Sequence, residues 1–203
     1  MSEILELDEK QLDAVKEIGT MGSGHAALAL SQMIGRRVNI AVVKVEVVTS
    51  DEFNRIVGGP DTLGATIYIQ VLGDLQGGII LFFKRLDALC LIDTLLRKEK
   101  GNTVMLSEIG ISALKEAGNI LSGSYLSTMS QIIPFKLALS VPRLAFDLIG
   151  FTMQGVFNEI MYSEKKSLSL VTEFIESTSQ IKGYLVFLPN KVTWEKIIKG
   201  LKV

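Results

Sequence analysis

The chain has 203 residues, 48% of them apolar, enough for one large domain or two small ones with a substantial core. Its 21 Lys and Arg against 22 Asp and Glu leave a formal net charge of -1 with no basic run, which excludes a nucleic-acid binder relying on bulk positive charge. A single cysteine, Cys90, excludes an intramolecular disulfide or a cysteine-cluster metal site, and a single histidine, His25, leaves Ser/His or Cys/His hydrolysis only one candidate base.

The first segment, MSEILELDEKQLD, is acidic and polar and lacks the basic and apolar regions of a signal peptide, so a cytoplasmic protein is expected. Apolar residues recur at helical spacing from Leu7 to Met33, with Asp8 as the N-cap. Gly19, Gly22 and Gly24 lie inside this helix and are expected to mark close packing or a local break. Val38–Val48 reads as a strand, and Ser50-Asp51-Glu52 as the cap of a short helical turn through Ile56. After the loop Gly58–Asp61, strands are expected over Thr62–Val71 and Gly77–Phe83 with a hairpin turn at Gly73-Asp74, then a helix over Leu86–Arg97 and a linker over Lys98–Asn102.

The order then repeats. A helix is expected over Ser107–Ile133 and a strand over Phe135–Val141 ending near Pro142. Asp147 is expected to cap a helix reaching Met161, with Ile149, Met153, Val156 and Ile160 on one stripe. Strands over Leu168–Phe174 and Ile181–Leu188 and a helix over Val192–Leu201 complete the order, with Trp194 anchoring the last helix. The uncharged stretches Ile18–Gly35 and Ala117–Phe135 approach the length of a membrane span but carry Gly, Ser and Gln, and are read as buried helices rather than spans.

Residues 13–45 align without a gap on residues 112–144, an offset of 99. Identical pairs include Lys16/Lys115, Glu17/Glu116, Gly19/Gly118, Ser23/Ser122, Gly24/Gly123 and Gln32/Gln131. Two copies are too few for a solenoid. The expectation is a single domain over residues 1–203 of α+β class, with pseudo-twofold repeats at 8–99 and 106–203, in which long helices cover one mixed sheet.

Gly19-x4-Gly24-His25 and Gly22-x-Gly24-x-x-Ala27 resemble phosphate-binding and dinucleotide-binding loops in letters only, because a helix and not a strand runs into them. Neither His25 nor Cys90 is assigned a function. Ser112, Glu116 and Asn119 fall at i, i+4 and i+7, so a hydroxyl, a carboxylate and a carboxamide share one helix face beside the apolar stripe of Leu114, Ala117 and Leu121. Taken alone this is an ordinary solvated face. Asn119 and Gly118 are both poor helix formers, however, and that invites an explanation.

Ser112-x3-Glu116-x2-Asn119-x22-Pro142, within Glu116-Ala-Gly-Asn-Ile120, resembles the signature of the CheC/CheX/FliY chemotaxis phosphatases. The duplication and length resemble the CheC-type members of that family, and the resemblance covers essentially the whole chain. It implies hydrolysis of the aspartyl phosphate of a CheY-like response regulator, with Glu116 pairing with the regulator's lysine and Asn119 orienting the attacking water. Mg²⁺ is then held by the regulator, and the chain needs no metal ligand or cofactor of its own. Ser112 and Pro142 become supporting positions. The first copy keeps Asp13 and Glu17, but Thr20 stands at the asparagine position and Val43 at the proline position, which implies an inactive or weak site. The resemblance also implies a CheD-like receptor deamidase as a partner, docking on Asp147–Met161 through Phe151, Phe157 and Met161. Neither a nucleic-acid partner nor a membrane span is implied. A non-catalytic adaptor binding CheD or the phosphorylated regulator is the alternative reading.

Overall fold

The computed structural model describes residues 7–133, 135–161 and 166–201. The first half comprises helix α1 (Glu9–Ile34), strand β1 (Val38–Thr49), helix α2 (Ser50–Val57), strands β2 (Leu63–Gly73) and β3 (Gly77–Lys84), and helix α3 (Arg85–Leu95). The second comprises α4 (Glu108–Ile132), the short strands β4 (Leu137–Leu139) and β5 (Arg143–Leu148), α5 (Ile149–Met161), β6 (Lys166–Glu176), β7 (Lys182–Pro189) and α6 (Lys191–Leu201).

The caps explain where the helices start. Asp8 accepts from the Gln11 N–H while the Gln11 side chain accepts from the Asp8 N–H, a reciprocal box that satisfies two donors at the start of α1. Thr49 and Glu52 do the same for α2, so the cap lies one residue before the expected Ser50. Ser107 caps α4 through the Gly110 N–H.

The strands form one sheet in the order β1-β6-β7-β3-β2-β4, with β5 also on β2. Every pair is antiparallel, where a mixed sheet was expected. The order reads the same from either end once the halves are exchanged. Each half contributes a hairpin, β2–β3 or β6–β7, and sends its first strand across to the other half's hairpin: β1 pairs with β6, and β4 and β5 pair with β2. Two central strands, β3 and β7, pair across the middle.

Alternation along the strands feeds two cores. Ile67, Ile69, Ile79, Leu81, Leu185 and Phe187 meet α1, α3, α4 and α6 on one face. Tyr68, Ile80, Phe82, Val186 and Leu188 meet α2 and α5 on the other. Trp194 is buried in the first core and donates its Nε1–H to the Leu168 carbonyl, the anchor expected for the last helix. Cys90 is half-buried against the same core.

Three local expectations are corrected. Phe135–Val141 is not one strand: pairing is confined to Leu137–Leu139. A further strand, β5, occupies Arg143–Leu148, where Asp147 was expected to open a helix. Asp147 instead lies inside that strand and accepts from the Leu148 N–H. The N–H groups of Ile149 and Gly150 bond the carbonyls of Thr62 and Pro60, so α5 starts where β5 leaves the end of β2.

Candidate functional site

The site is a face of α4 set by how that helix is seated. Leu114, Ala117, Leu121, Tyr125 and Met129 are buried, which turns the opposite face outward. Gly118 allows the close approach: a Cβ there would lie 2.7 Å from Ile67 Cγ2 on β2. The copy repeats the device, with a Cβ at Gly19 lying 2.6 Å from Leu170 Cδ2 on β6. Each helix thus rests on the hairpin of the opposite half, α1 on β6–β7 and α4 on β2–β3. Gly22 lets α1 meet α4, since a Cβ there would lie 3.0 Å from the Tyr125 ring. The cost of Gly118 in a helix therefore has a packing explanation, and α1 runs through its glycines unbroken.

Ser112, Glu116 and Asn119 are all exposed on the outward face, brought together as their spacing predicts. Among the described residues, the side-chain hydrogen bonds of α4 are made by Ser107, Thr128 and Ser130, and no ion pair involves Glu116. The carboxylate and the carboxamide are both presented without a partner among these residues.

Pro142 lies half-buried between β4 and β5, two strands that pack against α4. Along β2 the partner of Val71 is Leu139 and that of Tyr68 is Arg143, so Ser140, Val141 and Pro142 span the length of Ile69 and Gln70. This is a bulge, and a residue with no N–H to give the ladder sits in it. Ser140 fixes one side by exchanging hydrogen bonds with Gln70: its N–H donates to the Gln70 carbonyl at 3.0 Å, and its Oγ accepts the Gln70 N–H at 2.9 Å. Arg143 fixes the other, pairing with Glu159 at 2.5 Å and lying 4.7 Å over the Tyr68 ring. Burial and the Glu159 charge push the Tyr68 phenol up to about 12, against the pull of Arg143. Val141 is thrown outward, 82% exposed.

In the first copy, Asp13, Glu17 and Thr20 are exposed on the matching face of α1. The Thr20 hydroxyl is turned back on its own helix, donating to the Lys16 carbonyl at 2.8 Å. The matching strand, β1, shifts register between Ile40 and Val42 yet continues unbroken past Val43. The copies therefore share the bulge position, but only the second breaks its strand there.

On α5, Phe151 is 70% exposed, whereas Phe157 is 5% exposed and packs in the core with Phe53, Tyr68 and Phe82. Phe157 therefore does not belong to an exposed apolar face. Ile149, Met153 and Val156 are buried as expected, while the side chains of Ile160 and Met161 lie outside the described residues. His25 is exposed. Among the described residues, no helix is long and apolar enough to cross a membrane.

This fold is shared with solved flagellar-switch and chemotaxis proteins. The X-ray structure of FliY from Thermotoga maritima matches with a TM-score of 0.74 at 19% identity, covering 98% of each chain. A chain of the CheX-CheY-BeF3-Mg²⁺ complex from Borrelia burgdorferi matches with a TM-score of 0.58 at 16% identity, over 89% of this chain and 99% of that one. The model of the CheC-like family matches residues 11–42 and 109–145, the two segments that hold Asp13, Glu17 and Thr20 and then Ser112, Glu116, Asn119 and Pro142. The chain is 28% identical over 199 residues to the CheY-P phosphatase CheC of Bacillus subtilis (strain 168), covering 96% of this chain and 95% of that protein. Both copies of the site are thus similar to the CheC-like family, and the likeness to CheC runs along nearly the whole chain.

Proposed function

We propose that this protein hydrolyses the aspartyl phosphate of a CheY-like response regulator, acting inside the cell through the single site on α4. The observation that carries the reading is the contrast between Asn119, an exposed carboxamide without a partner among the described residues, and Thr20, an exposed hydroxyl bound to its own helix. The similarity to a CheY-P phosphatase over nearly the whole chain supports it, as does the likeness to a CheX-CheY complex.

Glu116 docks the regulator by pairing with a lysine at the rim of its phosphorylation site, and Asn119 enters the site one turn further along. A carboxamide both accepts and donates, so it holds a water in line with the phosphorus. Attack of that water breaks the phosphorus–oxygen bond to the aspartate and releases inorganic phosphate and the free carboxylate. The acyl phosphate is already activated, so positioning and charge stabilisation suffice and no base on this chain is required. The regulator's Mg²⁺ neutralises the phosphoryl oxygens. Ser112 supports Glu116 from the preceding turn, and the Pro142 bulge shapes the edge beside α4.

Residues 8–99 and 106–203 act as two copies in one unit. The first, with Asp13, Glu17 and Thr20, binds a regulator weakly or not at all and turns nothing over. Exposed Phe151 on α5 favours a second contact, with a receptor deamidase of the CheD type, which makes an adaptor role compatible with the enzyme.

The test is the decay of a phosphorylated CheY-type receiver. Acceleration by the wild type, lost in Asn119→Ala and supplemented by Thr20→Asn, is the expected result. No acceleration by the wild type, with and without a CheD-type partner, overturns the enzyme reading and leaves the adaptor.

A further inference from the structure

Glycine is among the least favourable residues in a helix interior, and α1 and α4 carry several. Gly19, Gly22, Gly110 and Gly118 are each explained by an atom that a Cβ would meet within 3.3 Å. Gly24 and Gly123 are not. A Cβ at either position has nothing within 4 Å, and neither is among the glycines with positive φ. The fold itself has no use for glycine at these two places.

Gly123 lies four residues after Asn119 and seven after Glu116, on the same outward face of α4, about 6 Å along the axis from Asn119. Asparagine carries its amide on a short side chain. A helix that delivers this amide to a recessed acyl phosphate must press its backbone against the partner's rim, and a side chain one turn along the same face would stand between the two surfaces. We propose that Gly123 is a specificity-determining position: it leaves the clearance that lets a phosphorylated receiver domain seat against α4 deeply enough for Asn119 to reach the phosphoryl group. The inference rests on the phosphatase reading above. Gly24, at the same place beside Thr20, is the corresponding clearance of the first copy and provides a matched control within one molecule.

The experiment compares Gly123→Ala, Gly123→Leu and Gly24→Ala with the wild type. Three quantities are measured: thermal midpoint, KM and kcat for the phosphorylated receiver, and Kd for the receiver activated with beryllofluoride. Gly123→Ala and Gly24→Ala both raise the midpoint, because each adds helix propensity without a clash. Gly123→Ala raises KM and Kd severalfold and Gly123→Leu by roughly tenfold or more, the loss of a contact at the centre of an interface. Gly24→Ala leaves both unchanged. A folded Gly123→Leu variant with wild-type KM and Kd overturns the inference while leaving the phosphatase reading intact. A wild type that binds the activated receiver without turnover overturns the phosphatase reading, and Kd for the variants then decides the inference. A wild type that neither binds nor turns over removes both.

Discussion

The two copies share a scaffold and differ in what they expose. α1 and α4 are seated by Gly19 and Gly118 on β6 and β2 respectively, and each carries an outward acid, Glu17 or Glu116. One turn on, the first copy ends in a hydroxyl tied to Lys16 and the second in an uncommitted carboxamide. Beneath the surface the asymmetry runs the other way. Ser23 meets the Thr172 hydroxyl at 2.6 Å, a buried polar pair between α1 and β6. Its counterpart Ser122 is fully buried with no hydrogen-bond partner among the described residues, and Ile69, two residues on from Ile67 as Thr172 is from Leu170, offers no side-chain oxygen. The copy we assign the chemistry has the less satisfied interior. Exposed positions diverge freely because they touch nothing in the fold, whereas the seating glycines meet packed atoms and cannot.

The largest test of this contrast is at the surface. Asn119→Ala is expected to reduce the acceleration of receiver dephosphorylation by about 10²-fold or more, the scale for removing a group that orients reacting atoms. Thr20→Ala leaves it unchanged, and neither variant lowers the urea midpoint, because alanine is the better helix former at both exposed positions. Equal losses in both variants would mean that the copies share the work.

At the seats, Gly118→Ala forces a Cβ against branched Ile67 and is expected to destabilise by about 1–3 kcal/mol in urea unfolding. Gly19→Ala meets the far end of the Leu170 side chain, which can turn aside, and costs less. The reverse order would show that the first helix is the more tightly held.

In the interior, Ser23→Ala leaves the Thr172 hydroxyl buried alone and is expected to cost about 1 kcal/mol. Ser122→Ala removes an orphan and is neutral or stabilising. Thermal melts of both variants separate these outcomes.

The smallest effect concerns the β6–β7 turn. Burial raises the Glu176 carboxyl, but the N–H groups of Thr178 and Ser179 at 2.7 and 2.6 Å, with Arg36, outweigh it and hold the pKa below the usual glutamate value. A carboxyl depressed in the folded state adds stability that is complete above its unfolded pKa and fades as pH falls through the folded one. Glu176→Gln is expected to flatten the fall of the urea midpoint as pH drops below the ordinary glutamate pKa of about 4.3. The β2–β3 turn closes differently, with Asp74 accepting the Lys136 N–H at 2.8 Å.

Much of this was legible in one dimension. α1 and α4 end within two residues of where periodicity and caps put them. β5 was not legible: Arg143–Leu148 is a strand because the edge of β2 lies open beside it, and local propensity says nothing of that edge. The same limit applies to Phe151 and Phe157, both on an apolar helix, of which only the second meets Phe53 and Tyr68. It applies again to Gly118 and Gly123, identical in sequence and opposite in what surrounds them.

The sequence by itself determined the duplicated order of elements and the placement of Ser112, Glu116 and Asn119 on one face, because 3.6 residues per turn is a local property of the backbone. Only the tertiary structure decided that each half lends its first strand to the other, that the sheet is antiparallel throughout, and which glycines are crowded. Those depend on contacts between residues far apart in the chain, whose geometry no local spacing contains.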